Sequence, residues 1–204
     1  MRPESFRPPL TLRGRDVELV PLEVAHAAAL WEAGRDPEVS RYLVQAVGPT
    51  LADARALIED LLARQAAGTD LPFSIRPRAG GAPFGATRFL RIDRENDAVE
   101  IGGTFLARSR WRTPANTDAK LTLLRHAFEV ERAHRVTLQT DLRNERSQRA
   151  IARLGATREA VLREDRHLAS GYYRSSVVYA IVADEWPRVR ARLEGFLDRP
   201  RPPA

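Results

Sequence analysis

Apolar and polar positions along the 204-residue chain change period several times, and each change marks an element. In "VELVPLE", Val17, Leu19 and Pro21 alternate against Glu18 and Val20; this predicts a strand, and the proline at its far end marks it as an edge. "VAHAAALWEAG" and "DPEVSRYL" predict a helix and a short helical turn. In "PTLADARALIEDLLARQAAG", Leu57, Leu61 and Leu62 recur at helical spacing and Gly68 supplies the C-terminal cap. Between Leu71 and Leu106 the runs "LPFSIRP", "FGATRFLRI" and "VEIGGTFLA" are separated by "RAGGAP" and "DREND", the composition of an antiparallel meander with its turns. A helix over 116–132 follows, with Leu121, Leu124 and Phe128 as its apolar face. Then come a strand "RVTLQTD", a helix over 145–154, a strand pair around "EAVLRED" and "YYRSSVVYAIV", and a C-terminal helix from "EWPRVRARLEGFL".

Length suits one well-buried core, and an apolar share of 43% suits a globular chain. Because the ends "MRPESFRPP" and "DRPRPPA" are rich in proline and arginine, residues 1–14 and 198–204 are expected to be loose tails around a single domain at 15–197. With no cysteine there is no disulfide, thiolate nucleophile or Cys-ligated metal, and His26, His126, His134 and His167 have no metal spacing. No metal is expected. The N-terminus lacks a signal-type apolar core and no run approaches the roughly 18 apolar residues of a membrane helix, so a cytoplasmic protein with no membrane partner is expected. A formal charge of +6 and a pI near 10.6 permit nucleic acid, an acidic protein or a polyphosphate as partner, and charge alone does not choose.

Of 33 lysines and arginines only Lys120 is a lysine, and it falls near the start of the helix that follows the basic loop Arg108, Arg110 and Arg112. A cation there opposes the helix dipole unless an anion is bound. The alternatives are a solvated lysine, one paired with Asp118, or one facing phosphate. Asn116 or Thr117 is the expected N-cap. Gly102 and Gly103 interrupt the third meander strand, as either a local twist or a place where the strand splays and frees backbone groups for an extended amide ligand. Asn144 and Gly155 are the expected caps of the next helix.

Taken together, the order β, helices, βββ, α, β, α, ββ, α, the interrupted strand, the basic loop and helix containing "NTDAK" and "HAFE", and "DLRNERSQRAIARLGA" resemble the GNAT acetyltransferase superfamily, in the branch of the ribosomal-protein N-terminal acetylases. The resemblance spans roughly Arg15 to Trp186. It implies an α/β (α+β) fold, a mixed, mostly antiparallel central sheet flanked by helices with a broken fourth strand. It implies acetyl-CoA as cosubstrate, held by Thr104, Phe105, Leu106, Arg110, Arg112, Asn116, Thr117, Lys120 and Asn144. The superfamily's phosphate loop carries glycines where "RTPANT" has Ala115 and Thr117, so side chains must replace lost backbone donors and freedom. Where the superfamily often has a tyrosine acid this chain has Ile151; Ser147 matches the serine of the ribosomal-protein branch and is the expected acid, with Tyr172 or Tyr173 next. Glu100 is the candidate base, expected to share a face with Gly102 and Thr104 if alternation holds. The expected activity is transfer of acetyl to a primary amine by direct attack, the acceptor being a protein or peptide N-terminus or a small amine. Nucleic acid is not an expected partner, and a monomer or homodimer is expected. The alternatives are an idle acyl-CoA-binding or regulatory protein and an RNA- or ribosome-binding module.

Overall fold

The strands β1 (Leu12–Arg13), β2 (Val17–Pro21), β3 (Asp70–Pro77), β4 (Gly85–Asp93), β5 (Ala98–Leu106), β6 (Arg135–Asp141), β7 (Thr157–His167) and β8 (Tyr173–Val182) join in one sheet, in a computed structural model that describes residues 1, 5–168 and 170–199. Their order is β1-β2-β3-β4-β5-β6-β8-β7. Every pairing is antiparallel except β5 with β6, which meet over three residues, Ala98–Glu100 against Arg135–Thr137.

Helices cover both faces. The helices α1 (Ala27–Gly34), α2 (Pro37–Ser40) and α3 (Leu51–Ala66) precede the meander, and Leu30, Ile58 and Leu61 pack there with Leu22, Ala86 and Phe105. On the other face lie α4 (Ala115–Arg125), α5 (Glu145–Leu154) and α6 (Trp186–Leu197), whose Leu124, Ile151 and Leu193 join the main core with Phe73, Phe89, Ile101 and Ile181. The last turns of the α4 segment, His126–Val130, widen to π-helix. α5 ends where Gly155 takes φ +104°, the left-handed cap that its sequence predicted.

Three expectations are corrected. The segment around Phe6 is not a loose tail: its ring is 2% exposed, 4.7 Å from that of Phe89, and its N–H donates to Glu131. Prolines alone argue for a tail, yet one aromatic side chain contributes enough apolar area to anchor the stretch. β2 is likewise not an edge, because β1 pairs outside it and Pro21 sits at the strand's last position. Finally, α4 starts at Ala115, with Pro114 ahead of it and the Thr113 hydroxyl accepting from Ala115 N–H, so neither Asn116 nor Thr117 is the cap. Of the expected C-terminal tail, residues 200–204 lie outside the described residues.

Candidate active site

The site begins where one strand fails to follow its neighbour. Between the registered pairs Arg88–Gly102 and Ala86–Phe105, β4 advances two residues and β5 three, so the extra residue is a bulge at Gly103. Gly103 has φ +57°, a conformation costly for L side chains, and a Cβ there would lie 3.2 Å from the Arg88 guanidinium carbon. Past Glu100 the strand has no ladder with β6. A cavity of ≈ 1010 Å³ opens into this split, bounded by Gly102–Leu106 of β5, Leu138–Thr140 of β6, Asn116 and Lys120 of α4, and Ser147 and Ile151 of α5.

Breaking the alternation separates two residues expected on one face. Glu100 and Gly102 look toward α1 and α3, as does Phe105 after the bulge; Thr104 is turned to α4. The physical reason is the extra residue itself, which inverts the side-chain period.

Toward α4 the cavity is basic. Arg110 and Arg112 line it, Arg110 with its guanidinium 4.8 Å from the Phe84 ring centre. Arg112 itself takes φ +60°. Ala115 and Thr117, in place of glycines, need no such freedom because both are already helical. The N–H groups of Asn116 and Thr117 have no acceptor among the described residues, and the positive end of the helix macrodipole adds to the arginines. The Thr117 side chain does not face the cavity: its hydroxyl accepts from Arg153 Nη2 at 2.9 Å, tying α4 to α5. Its contribution to an anion site is therefore its N–H.

Lys120 answers to none of the simple alternatives. It is 6% exposed, not solvated. Asp118, 1% exposed, instead accepts the N–H groups of Arg15, Asp16 and Val17 at 2.7–2.9 Å, holding the chain ahead of β2. Lys120 Nζ donates to Thr104 Oγ1 at 2.7 Å, and that oxygen is 2.7 Å from Thr87 Oγ1. The ammonium is thus aimed at the bulged strand, on the cavity wall, and not out toward the arginine loop. Burial without a paired carboxylate pushes its pKa down to about 7.

At the start of α5, Asn144 Oδ1 accepts from Ser147 N–H at 3.1 Å, the expected cap. Both residues line the cavity, with Ile151 one turn further along the same face as Ser147. Neither fallback tyrosine lines it: Tyr172 lies under the Arg143 guanidinium at 3.5 Å and Tyr173 stacks on His167 at the surface. His126, expected at the surface, is buried beside Phe6 and Phe89 and bonded to Glu131.

Glu100 stands on the opposite side of the split, buried, with Arg91 Nη1 3.0 Å from its carboxylate. Burial raises its pKa, and Arg91, Arg88 and Arg174 partly offset that. Around it the cavity is lined by Tyr42, Arg88, Gln139, Arg166 and Arg174, which sequence reasoning did not select. The available signal was an arginine inside each of two apolar strands, "FGATRFLRI" and "YYRSSVVYAIV", but in so arginine-rich a chain it does not stand out.

An open, mostly antiparallel sheet split at a bulge, with a basic helix start on one side and a buried carboxylate on the other, defines an acyl-CoA-dependent acetyltransferase architecture. The sequence model of the family described as acetyltransferase (GNAT) domain matches residues 16–157, and the chain belongs to that family. It is an acetyl-CoA-dependent acetyltransferase. It is 45% identical to an assigned acetyltransferase of T. thermophilus, whose crystal structure superposes with a TM-score of 0.84 over 93% of this chain and 97% of that one. It is 26% identical over 154 residues to the uncharacterized N-acetyltransferase p20 of Bacillus licheniformis, covering 76% of this chain and 86% of the relative. The fold is also that of Mycobacterium smegmatis RimJ, solved in complex with CoA-disulfide, at 23% identity and a TM-score of 0.79 over 92% of this chain and 95% of that one.

Proposed function

We propose that this chain transfers the acetyl group of acetyl-CoA to a primary amine that enters from the α1–α3 side of the split. The observation that carries it is the position of two chemically opposite groups across the β5 break: orphan helix N–H groups with Arg110 and Arg112 on one side, and buried Glu100 on the other. The first set suits the phosphates of coenzyme A, and a relative of the same fold was solved with CoA-disulfide. Gly102–Phe105 and Asn144 then border the pantetheine arm, whose amides can pair with the β5 edge that β6 leaves free. Acetyl-CoA supplies the thioester.

On the other side Glu100, as carboxylate, takes a proton from the incoming ammonium directly or through water. The amine nitrogen bonds to the thioester carbonyl carbon, the C–S bond breaks, and the sulfur leaves as thiolate. Ser147, whose hydroxyl makes no hydrogen bond among the described residues, donates to that sulfur from the positive end of α5. A protein or peptide N-terminus is the first acceptor class to test, since RimJ and the ribosomal L7/L12 α-N-protein acetyltransferase RimL share the fold.

The test is release of free CoA thiol with mixed peptide and small amines. An active transferase produces thiol with at least one of them; a carrier that only binds coenzyme A gains thermal stability with it and produces none. In the active enzyme, Ser147→Ala is expected to lower kcat about 10–100-fold and leave coenzyme A affinity within a few-fold, the signature of a contact made in the transition state. Undiminished kcat, with chemistry shown to be rate-limiting, removes Ser147 from the mechanism.

A further inference from the structure

The acceptor side of the cavity carries more positive charge than its own carboxylates neutralise. Arg88, Arg91, Arg166 and Arg174 line it against Asp70 and Glu100. Arg88 Nε lies 3.0 Å from Asp70 and Arg91 Nη1 lies 3.0 Å from Glu100, so those four residues form two closed pairs. Arg166 and Arg174 are left over. They are direct cross-strand partners on β7 and β8, where like charges facing each other destabilise the ladder. Arg166 has one carboxylate near it, that of its neighbour Asp165 at 3.6 Å.

Arg174 is the more exacting case. It is 5% exposed, its Nε has no hydrogen-bond partner, and among the described residues no carboxylate reaches within 4.0 Å of its guanidinium. A guanidinium cannot relieve this by losing its proton, so the cost of its burial has to be met by an anion. Asp141, Asp165 and Glu100 act on it only from beyond ion-pair distance. On the same sheet face Gln139 Oε1 is also buried without a partner. This face looks toward α1 and α3, away from the arginine loop and α4, so the phosphates of coenzyme A do not account for it.

We propose that Arg174, with Arg166 beside it, receives a carboxylate belonging to the acceptor, which makes the substrate an amine that carries its own carboxylate. Glu100 supplies the complementary charge: it lies close enough to Arg174 for each to feel the other's field, and it suits an ammonium as Arg174 suits a carboxylate. A zwitterion therefore matches both ends of this subsite, while an amine without a carboxylate leaves Arg174 buried and unpaired. The inference rests on the acetyl-transfer reading for the word acceptor, but the subsite itself can be measured without turnover.

The experiment is calorimetric titration of the protein saturated with coenzyme A, using matched probes. One set pairs free amino acids with their amides, and the other pairs peptides beginning Ala-Asp with those beginning Ala-Asn, which separates an α-carboxylate from a side-chain carboxylate as the source. In at least one set the acid is expected to bind about tenfold more tightly than its amide. Arg174→Gln should shrink that preference to about threefold or less with coenzyme A affinity unchanged. Arg174→Lys should keep part of it, and Arg163→Gln, at an exposed arginine of β7, should keep all of it. Equal binding of acid and amide in both sets, or a preference that survives Arg174→Gln, overturns the inference. Turnover is then measured separately with acetyl-CoA: carboxylate-dependent binding without thiol release sinks acetyl transfer to these amines and leaves the subsite standing, whereas thiol release with no carboxylate preference does the reverse.

Discussion

Lys120 shows how one residue's meaning changes with its surroundings. Its rarity in the sequence pointed to a special role, and its helix position pointed to phosphate; the structure turns its ammonium inward to Thr104 with no carboxylate nearby. Such a lysine resists protonation when folded and accepts it when unfolded. Its pKa falls from 10.5 to about 7, so between those values the unfolded chain holds more protons and stability rises with pH, at about 1.4 kcal/mol for each tenfold loss of proton affinity. Below about pH 7 both states are protonated and the penalty is present in full. Lys120→Met removes the titration, so the unfolding free energy of the wild type relative to this variant should climb between pH 7 and 10. Denaturant melts across that range check it, and a flat difference means that Lys120 stays charged in the fold. The asymmetry with Asp118 is instructive: two residues earlier on the same helix, that buried charge is fully served by three backbone N–H groups.

At the scale of elements the decisive feature is the bulge in β5. A one-residue insertion in the ladder turns Thr104 away from Glu100, sends Phe105 toward α1 and α3, and accompanies the end of pairing with β6, so one backbone irregularity both opens the cavity and divides its two sides. Gly103→Val places a β-branched residue at φ +57° against Arg88 and is expected to cost about 1–3 kcal/mol of stability. The larger effect should be on catalysis, with kcat/KM for acetyl-CoA falling at least about tenfold as the β5 edge shifts. Gly195→Ala is the control, because a Cβ in that helical position meets nothing and should leave stability unchanged or raise it by up to about 1 kcal/mol. Kinetics and melts on both variants decide it; if Gly103→Val lost stability and kept kcat/KM, the bulge would have no catalytic role.

For the whole molecule, the N-terminal segment extends the sheet and the core beyond the boundary that composition suggests. Phe6 reaches Phe89 and His126, β1 adds a short strand outside β2, and the turn between β1 and β2 hangs on Asp118 of α4. Phe6→Ala should therefore destabilise the protein by about 3–5 kcal/mol, the cost of emptying a buried aromatic site. Urea unfolding measures it directly, and a change below about 0.5 kcal/mol would return the segment to the status of a tail.

The sequence by itself determined what short-range pattern can carry. Hydrophobic period fixed the strands of the meander and the helices, Asn144 and Gly155 marked both ends of α5, and the Gly102–Gly103 interruption located the split strand. The basic loop ahead of α4 located one side of the site. What the sequence left open depends on which face each side chain takes after the chain is bent and paired. A bulge reverses alternation without changing composition, so Glu100 and Thr104 parted company only in the sheet. Lys120 and Thr104 are 16 residues apart and Arg174 and Glu100 are 74 apart, and no local pattern announces that either pair shares a wall of one cavity. In a chain with arginine on every element, tertiary burial alone separates the guanidinium that lacks a partner from those that water or a carboxylate already satisfies.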